Sequence, residues 1–418
     1  MPEDTLQNYA HLIAHSGIVE ELDCAYRDPC DLVHVYVARL RADLRGGQHR
    51  VWKGLRAPCV GKGMTDAQAR ASALGEAVER YSAIFRGDEP RIKASYRELS
   101  GEAIHPNTCM NFSADQYRQR EEWNQREIEF NWVPQPFDEE RETEWTPVWS
   151  LTEERSKYLA TASCYFGYPF SLEHDFCRPD SNGNAAGANL EEAIVQGFLE
   201  LVERDSVALW WYNSARRPRV QLSSFGEPYF EALRELYRIL GREIHVLDIT
   251  ADLSIPAFAA VSSARRDRGD LLLGFGAHLD PRIAIARALT EMNQSLAEAT
   301  GGEKPRFFVG EPLKDAFLAP DASAGVKTPG DYSAWAGAEL GEDLRACLAL
   351  ASERGLETLV LDQTRSEAGM RAVKVVVPGM RPWWARFAPG RLYDVPVQIG
   401  WQPARLSEEQ LNPCHLSV

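Results

Sequence analysis

Apolar residues fall at helical spacing in three long stretches of the chain, and a glycine-containing turn is predicted before each. GKGM precedes AQARASALGEAVERYSAIF, SNGNAAGA precedes EEAIVQGFLELVERDSVALWWYN, and GFGAHL precedes RIAIARALTEMNQ. Start signals agree with the periodicity. Thr65 has Gln68 three residues on, a capping-box pattern. Asn189 with Glu192 is a looser version, and Asp280 is followed by Pro281 at the first helical position. Runs rich in branched and aromatic residues predict strands at Ile244–Ile249, Phe258–Ser262, Leu271–Phe275, Leu359–Leu361 and Val373–Val377. The polar stretch 105–147 reads as a solvated helix or a long excursion, and 318–336 as a loop. Strands and helices are interspersed, with no linker between halves of different composition. The pattern predicts an α+β chain of mixed sheets packed with helices, in one domain over residues 1–418.

The first two helices close on the same Glu-x-Val-Glu-Arg, in SALGEAVER at 72–80 and QGFLELVER at 196–204. With the recurring turn and cap, this predicts an internal duplication. Positions i and i+3 share a helix face, so Glu76 and Glu79 point one way, as do Glu200 and Glu203. On a solvated face, Glu76–Arg80 and Glu200–Arg204 would be ordinary i,i+4 pairs of about 0.2–0.5 kcal/mol each. The surroundings argue against that face. From Ala193 to Trp211 the second helix is apolar on nearly every side, which predicts burial. The first is alanine-rich and admits close neighbours. Carboxylates on buried helices are costly unless paired or metal-bound.

Two such pairs facing each other would assemble four carboxylates and two arginines, a net negative site. Oxygen ligands select hard cations, Mg²⁺ before Zn²⁺. Mg²⁺ held by carboxylates keeps waters and takes phosphates, and arginine suits phosphate. The residues therefore suggest a Mg²⁺–nucleotide site. Four further positions keep two readings each. Lys62, in Gly61-Lys62-Gly63, is not part of a Walker motif and reads equally as a turn residue or a phosphate ligand. Glu192 is a capping residue or a ligand. Glu291 is a further ligand or the partner of Arg287 one turn before it. Ser72 shares the face of Glu76, and either approaches a phosphate or bonds its own helix backbone.

Composition narrows the class. The chain has 418 residues and a formal net charge of −15, with 44% hydrophobic and 26% charged residues. That field opposes binding to nucleic acid or to anionic lipid. No stretch reads as a secretory signal or a membrane span. The 8 cysteines form no Cys-x-x-Cys pair, so free thiols in a reducing cytoplasm are expected. The 9 histidines show no zinc-binding spacing.

Three segments together resemble the YcaO family, in particular its azoline-forming cyclodehydratases that modify ribosomally made peptides. They are GKGMTDAQARASALGEAVERYS, SNGNAAGANLEEAIVQGFLELVERDSVALWWYN and VVVPGMRPWWARFAPGRLYDVP. The resemblance runs from about residue 15 to 405, leaving a C-terminal tail at 406–418. It implies an internally duplicated α+β fold that holds ATP over Mg²⁺. Glu76, Glu79, Glu200, Glu203 and Glu291 match metal-binding positions. Ser72, Arg80, Glu192 and Arg204 match ATP-binding positions. No residue is singled out as a catalytic base. The implied partners are a precursor peptide, a leader-peptide-binding protein and a flavin-dependent azoline dehydrogenase. The expected assembly is a homodimer or a larger synthetase complex. Given that span, no leader-binding domain is expected within these residues.

The chain departs from that family twice. Relatives often carry Gly-Asn where this chain has Gly187-Ala188, with Asn189 one place later. Azoline-forming members end in alternating prolines, whereas this chain ends LNPCHLSV, with Cys414-His415 interrupting the run after Pro413. That end is expected to fray and its Cys-His pair to be inert. Two other readings stay open: backbone thioamide or amidine formation with an external nucleophile, and a nucleotide-binding scaffold without chemistry.

Overall fold

A computed structural model describes residues 17–41, 58–99, 101–126, 131–169, 175–264, 271–300, 316–333, 335, 337 and 339–416. Three sheets organise them. The first joins β1 (Val19–Arg27), β2 (His34–Leu40) and β3 (Cys59–Gly63), all antiparallel, with Val37 opposite Val60. The second has six strands. β4 (Ile92–Ala94), β5 (Thr143–Ser150), β13 (Leu359–Asp362), β14 (Arg371–Val376) and β7 (Asn184–Gly187) lie in that order, and β6 (Arg155–Ala160) pairs with β5. The third has five. β11 (Leu271–Ala277), β10 (Ala257–Ala264), β9 (Arg242–Asp248), β8 (Arg219–Val220) and β12 (Val326–Lys327) follow in order.

Among the described residues, six helices of eight residues or more pack on these sheets or on one another. They are α1 (Asp66–Ser82), α2 (Leu190–Tyr212), α3 (Pro228–Ile239), α4 (Pro281–Thr300), α5 (Leu340–Glu353) and α6 (Arg391–Gln398). The side-chain period of two along β10 explains the layering. Ala259 and Val261 face α2, in one core with Leu247, Phe275 and, from the six-stranded sheet, Val373 and Val375. Phe258 and Ala260 face the other way, onto Ala284, Ala288 and Leu289 of α4 and Phe230 and Leu233 of α3. The α2 helix therefore lies between two sheets, which is why it is apolar all round. Each large side chain buried there contributes roughly 1.5–3 kcal/mol. A third cluster seats Ala69, Ala73, Ala77 and Val78 of α1 on Tyr36, Ala38 and Cys59, and extends to Ala372 of β14.

All five expected strands and all three expected helices are present, within one or two residues at most ends. Of the glycine-containing segments, SNGNAAGA keeps a turn at Asn182-Gly183, with Gly183 at φ 73°, and the other glycines are not in turns. Gly61, Gly63, Gly187, Gly274 and Gly276 all lie in strands. A Cβ on Gly61 would sit 2.0 Å from the Ala73 amide nitrogen, and one on Gly276 would sit 2.3 Å from the Ala284 carbonyl oxygen. These glycines let a helix backbone rest directly on the strand before it. The polar stretch holds three short helices, Pro106–Met110, Ala114–Arg118 and Arg120–Arg126, before β5 begins. Among the described residues, no helix is long and apolar enough to cross a membrane.

Candidate functional site

The strand–helix unit occurs three times: β3 with α1, β7 with α2, and β11 with α4. Thr65 caps α1 by accepting from the Gln68 amide, and Asn189 caps α2 by accepting from the Glu192 amide at 2.8 Å. Asp280 accepts from the Arg282 amide at 2.8 Å at the head of α4. One interval separates Thr65 from Glu76, Asn189 from Glu200 and Asp280 from Glu291. The duplication read from two helices is thus a threefold repetition in register. Ala69, Ala193 and Ala284 share one position, and Ser72, Gln196 and Arg287 another. Where units one and two carry Glu79-Arg80 and Glu203-Arg204, unit three carries Gln294-Ser295.

The register fixes the bonds. Glu76 Oε2 accepts from the Val60 amide at 2.9 Å, and Glu291 Oε2 accepts from the Phe275 amide at 2.7 Å. In both, the donor lies 16 residues upstream on the unit's own strand. Glu79 reaches across units, its Oε1 accepting from the Ala186 amide of β7 at 3.0 Å. Arg80 pairs with Glu76 and donates to the Pro58 carbonyl at 3.2 Å. Arg204 Nη2 pairs with Glu200 at 2.7 Å. On β3, the Lys62 ammonium lies 2.9 Å from Glu291 Oε1, so Lys62 is not a turn residue. Arg287 donates to Gln196 of α2 and to the Ala277 carbonyl, and it does not pair with Glu291.

Electrostatics bring the carboxylates into one field. Burial raises the pKa of Glu79 well above the usual carboxylate range, and the negative charges of Glu200 and Glu76 raise it further. Burial likewise raises Glu203, to about 7, with Glu291 and Glu200 adding and Arg204 and Lys62 opposing. Both side chains keep some open surface, yet protein encloses them enough for desolvation to dominate. Burial disfavours the Arg287 charge and lowers its pKa, against the pull of Glu203 and Glu200. The structure thus gathers Glu76, Glu79, Glu200, Glu203 and Glu291 with Arg80, Arg204, Arg287 and Lys62.

Two expected residues stand apart. Ser72 is exposed, one turn before Glu76. Glu192 accepts from the Ala188 amide at 2.7 Å, closing the cap of α2. Gln196 escaped the sequence reading, and Arg287 was read there only as a partner for Glu291. Their signal was the repeat position they share with Ser72, visible only once the third unit is aligned. The tail does not fray over its described length. Asn412 donates to the Tyr212 carbonyl at 2.8 Å, Trp211 Nε1 donates to the Cys414 carbonyl at 2.6 Å, and His415 stacks on Trp123. Leu411 and Leu416 are buried. Apolar burial and the two tryptophans hold the end against α2.

The donor set suits a Mg²⁺-bound nucleotide. Arg204 is buried with its guanidinium over the Trp383 ring, 3.2 Å from the centroid, and its Nε and Nη1 have no hydrogen-bond partner. Such nitrogens suit phosphate oxygens. Among the described residues, no three His, Cys, Asp or Glu side chains converge on one ion-sized position. Mg²⁺ does not need three, since it usually takes one or two carboxylates and completes its shell with water and phosphate.

The fold is similar to those of known proteins. A structure described as a heterocyclase in complex with substrate and cofactor matches with a TM-score of 0.92 and 50% identity, over 100% of this chain and 57% of that one. The heterocyclase TruD matches with a TM-score of 0.79 and 53% identity, over 84% of this chain and 50% of that one. This chain therefore spans about half the length of either heterocyclase. YcaO from Methanopyrus kandleri, bound with AMPPCP and Mg²⁺, matches with a TM-score of 0.66 and 25% identity, over 91% of each chain. The family described as YcaO cyclodehydratase, ATP- and Mg²⁺-binding, matches residues 60–381. The chain is a member of the YcaO cyclodehydratase family.

Proposed function

We propose that this chain is the ATP-dependent cyclodehydratase component of a peptide-modifying system, forming azoline rings from Cys, Ser or Thr of a ribosomally made precursor. The observation that carries the reading is the cluster of five glutamates and its cations, set by three strand–helix units in one register. Mg²⁺ supplies charge neutralisation on the nucleotide phosphates. Glu76, Glu79, Glu200, Glu203 and Glu291 are the residues that would hold it. Arg80 and Arg204 would take the phosphates, and Arg287, which donates to Gln196, braces α2 against α4. Ser72, exposed one turn before Glu76, and Glu192, closing the cap of α2, would meet the nucleotide only from outside the cluster.

An amide oxygen is a poor leaving group. In the proposed reaction, the side-chain nucleophile of the precursor attacks the preceding backbone carbonyl. The resulting oxyanion takes the terminal phosphoryl group of ATP, releasing ADP. Inorganic phosphate then leaves with the former amide oxygen, and the ring remains. The protein's part is positioning and charge stabilisation. A leader-binding partner would raise the effective concentration of the precursor at the site. An azoline dehydrogenase would act on the product.

The test is mass spectrometry of a precursor incubated with the chain, its partner, ATP and Mg²⁺. A loss of about 18 Da per ring is expected, with one ATP consumed per ring. Unchanged precursor mass with intact ATP turnover would refute ring formation. The docked tail, Leu411–Leu416, favours a second reading, because alternating prolines do not occupy it. A gain of about 16 Da, sulfur in place of oxygen through the same amide-phosphorylation chemistry, would assign thioamidation instead.

A further inference from the structure

The three units obey a rule with one exception. In units one and two, the first carboxylate pairs with an arginine one turn later on its own helix: Glu76 with Arg80, Glu200 with Arg204. Unit three has Ser295 where that arginine would stand. Its carboxylate, Glu291, takes a cation from unit one instead, the Lys62 ammonium at 2.9 Å. Glu291 is buried, with 4% of its side chain exposed, whereas Lys62 keeps 25%. The lysine also faces Glu203, whose ionisation it favours.

The exchange of arginine for lysine matters chemically. Arg80 and Arg204 are fixed by more than their carboxylates: Arg80 donates to the Pro58 carbonyl, and Arg204 lies on the Trp383 ring. Lysine is a point charge on a flexible stem with rotatable donors. It can leave a carboxylate without breaking a planar fork. Glu291 keeps its bond to the Phe275 amide whether or not the ammonium stays.

We propose that Lys62 is a resident cation, holding Glu291 until a metal ion takes that carboxylate and then moving its ammonium to the terminal phosphate of the nucleotide. The inference rests on the reading of this cluster as a Mg²⁺–nucleotide site. The exchange conserves bonds and protons. One cation replaces another on Glu291, and the displaced ammonium meets the anion that arrives with the metal.

The experiment uses the full chain, wild type, Lys62→Met and Lys62→Arg. Mn²⁺ binding without nucleotide is read by electron paramagnetic resonance. Binding of a non-hydrolysable ATP analogue and of ADP, each with Mg²⁺, is read by calorimetry. Removing the competing ammonium should tighten Mn²⁺ binding by about tenfold, the size of one charge-assisted contact. The same variant should lose roughly tenfold in preference for the triphosphate over the diphosphate, as one phosphate contact is lost. Lys62→Arg should keep most of that preference. Unchanged Mn²⁺ affinity or unchanged preference in folded Lys62→Met overturns the proposal. A wild-type chain that binds no Mn²⁺ overturns both the proposal and the site reading. A second measurement needs no variant. Acetylation of Lys62 in the wild-type chain, mapped by mass spectrometry, should rise on adding Mg²⁺ and fall again on adding the analogue. Labelling indifferent to Mg²⁺ would equally overturn it.

Discussion

Glu79 and Glu203 are the second carboxylates of their units, and neither has an ion-pair partner of the kind that Glu76 and Glu200 have. Their raised pKa values mean that ionisation opposes folding. For Glu203, the folded chain holds the proton up to about pH 7, while the unfolded chain releases it near 4.5. The native state then binds more protons through that window, so stability of the metal-free chain falls as pH rises from about 4.5 to about 7. Glu203→Gln should flatten that slope, as measured by thermal melts across the range. Glu79→Gln and Glu203→Gln should each abolish nucleotide turnover and leave the melting temperature at or above wild type, since each removes a poorly compensated charge. A melting temperature well below wild type would show that the carboxylate anchors the fold, as the Glu79–Ala186 bond could.

At the scale of elements, helices were the most legible. A cap, an apolar stripe and a run of alanines are local signals, and α1, α2 and α4 follow them. The strand before each helix was not legible as such. Glycine usually marks a turn, yet here it marks contact between backbones, a tertiary fact that no local window contains. β1 went unread for another reason: its burial does not alternate, with most of its residues exposed. The docked tail was also missed, because its partners Trp123, Trp211 and Tyr212 are remote in sequence. The contact at Gly276 is testable. Gly276→Ala would place a methyl group 2.3 Å from the Ala284 carbonyl oxygen, so α4 must move off β11. A loss of about 1–3 kcal/mol in chemical denaturation is expected. Gly75→Ala is the control, because a Cβ there meets nothing within 4 Å.

For the whole molecule, the site was read chiefly from two of its three contributing units, with Glu291 alone from the third. The paired Glu-x-Val-Glu-Arg repeats are near-identical strings. The third unit shares spacing and not sequence, so the pairing of Lys62 with Glu291 and of Arg287 with Gln196 emerged only through contacts. With a net charge of −15, the chain should meet a basic face on the proposed leader-binding partner, and the association rate should fall as salt rises. Stopped-flow mixing at two ionic strengths reads this, and a salt-independent rate would remove charge steering. The isolated chain is expected to consume ATP slowly and to be stimulated by the partner.

The position of α2 between two sheets has a consequence for how the molecule opens. Its residues share one core with Leu247, Ala259 and Phe275 on one side and Val373 and Val375 on the other. Neither sheet can separate from the helix without exposing that core to water. Such a helix has no cheap local opening, so its amides should exchange with deuterium only when the chain unfolds as a whole. The exposed hairpin of β1 should exchange orders of magnitude sooner. A nucleotide bound to Glu200, Glu203 and Arg204 would then slow exchange along all of α2 by one common factor, set by ligand concentration over its dissociation constant, rather than by local shielding. The helix thus converts occupancy of a site near its middle into the kinetic lifetime of the core.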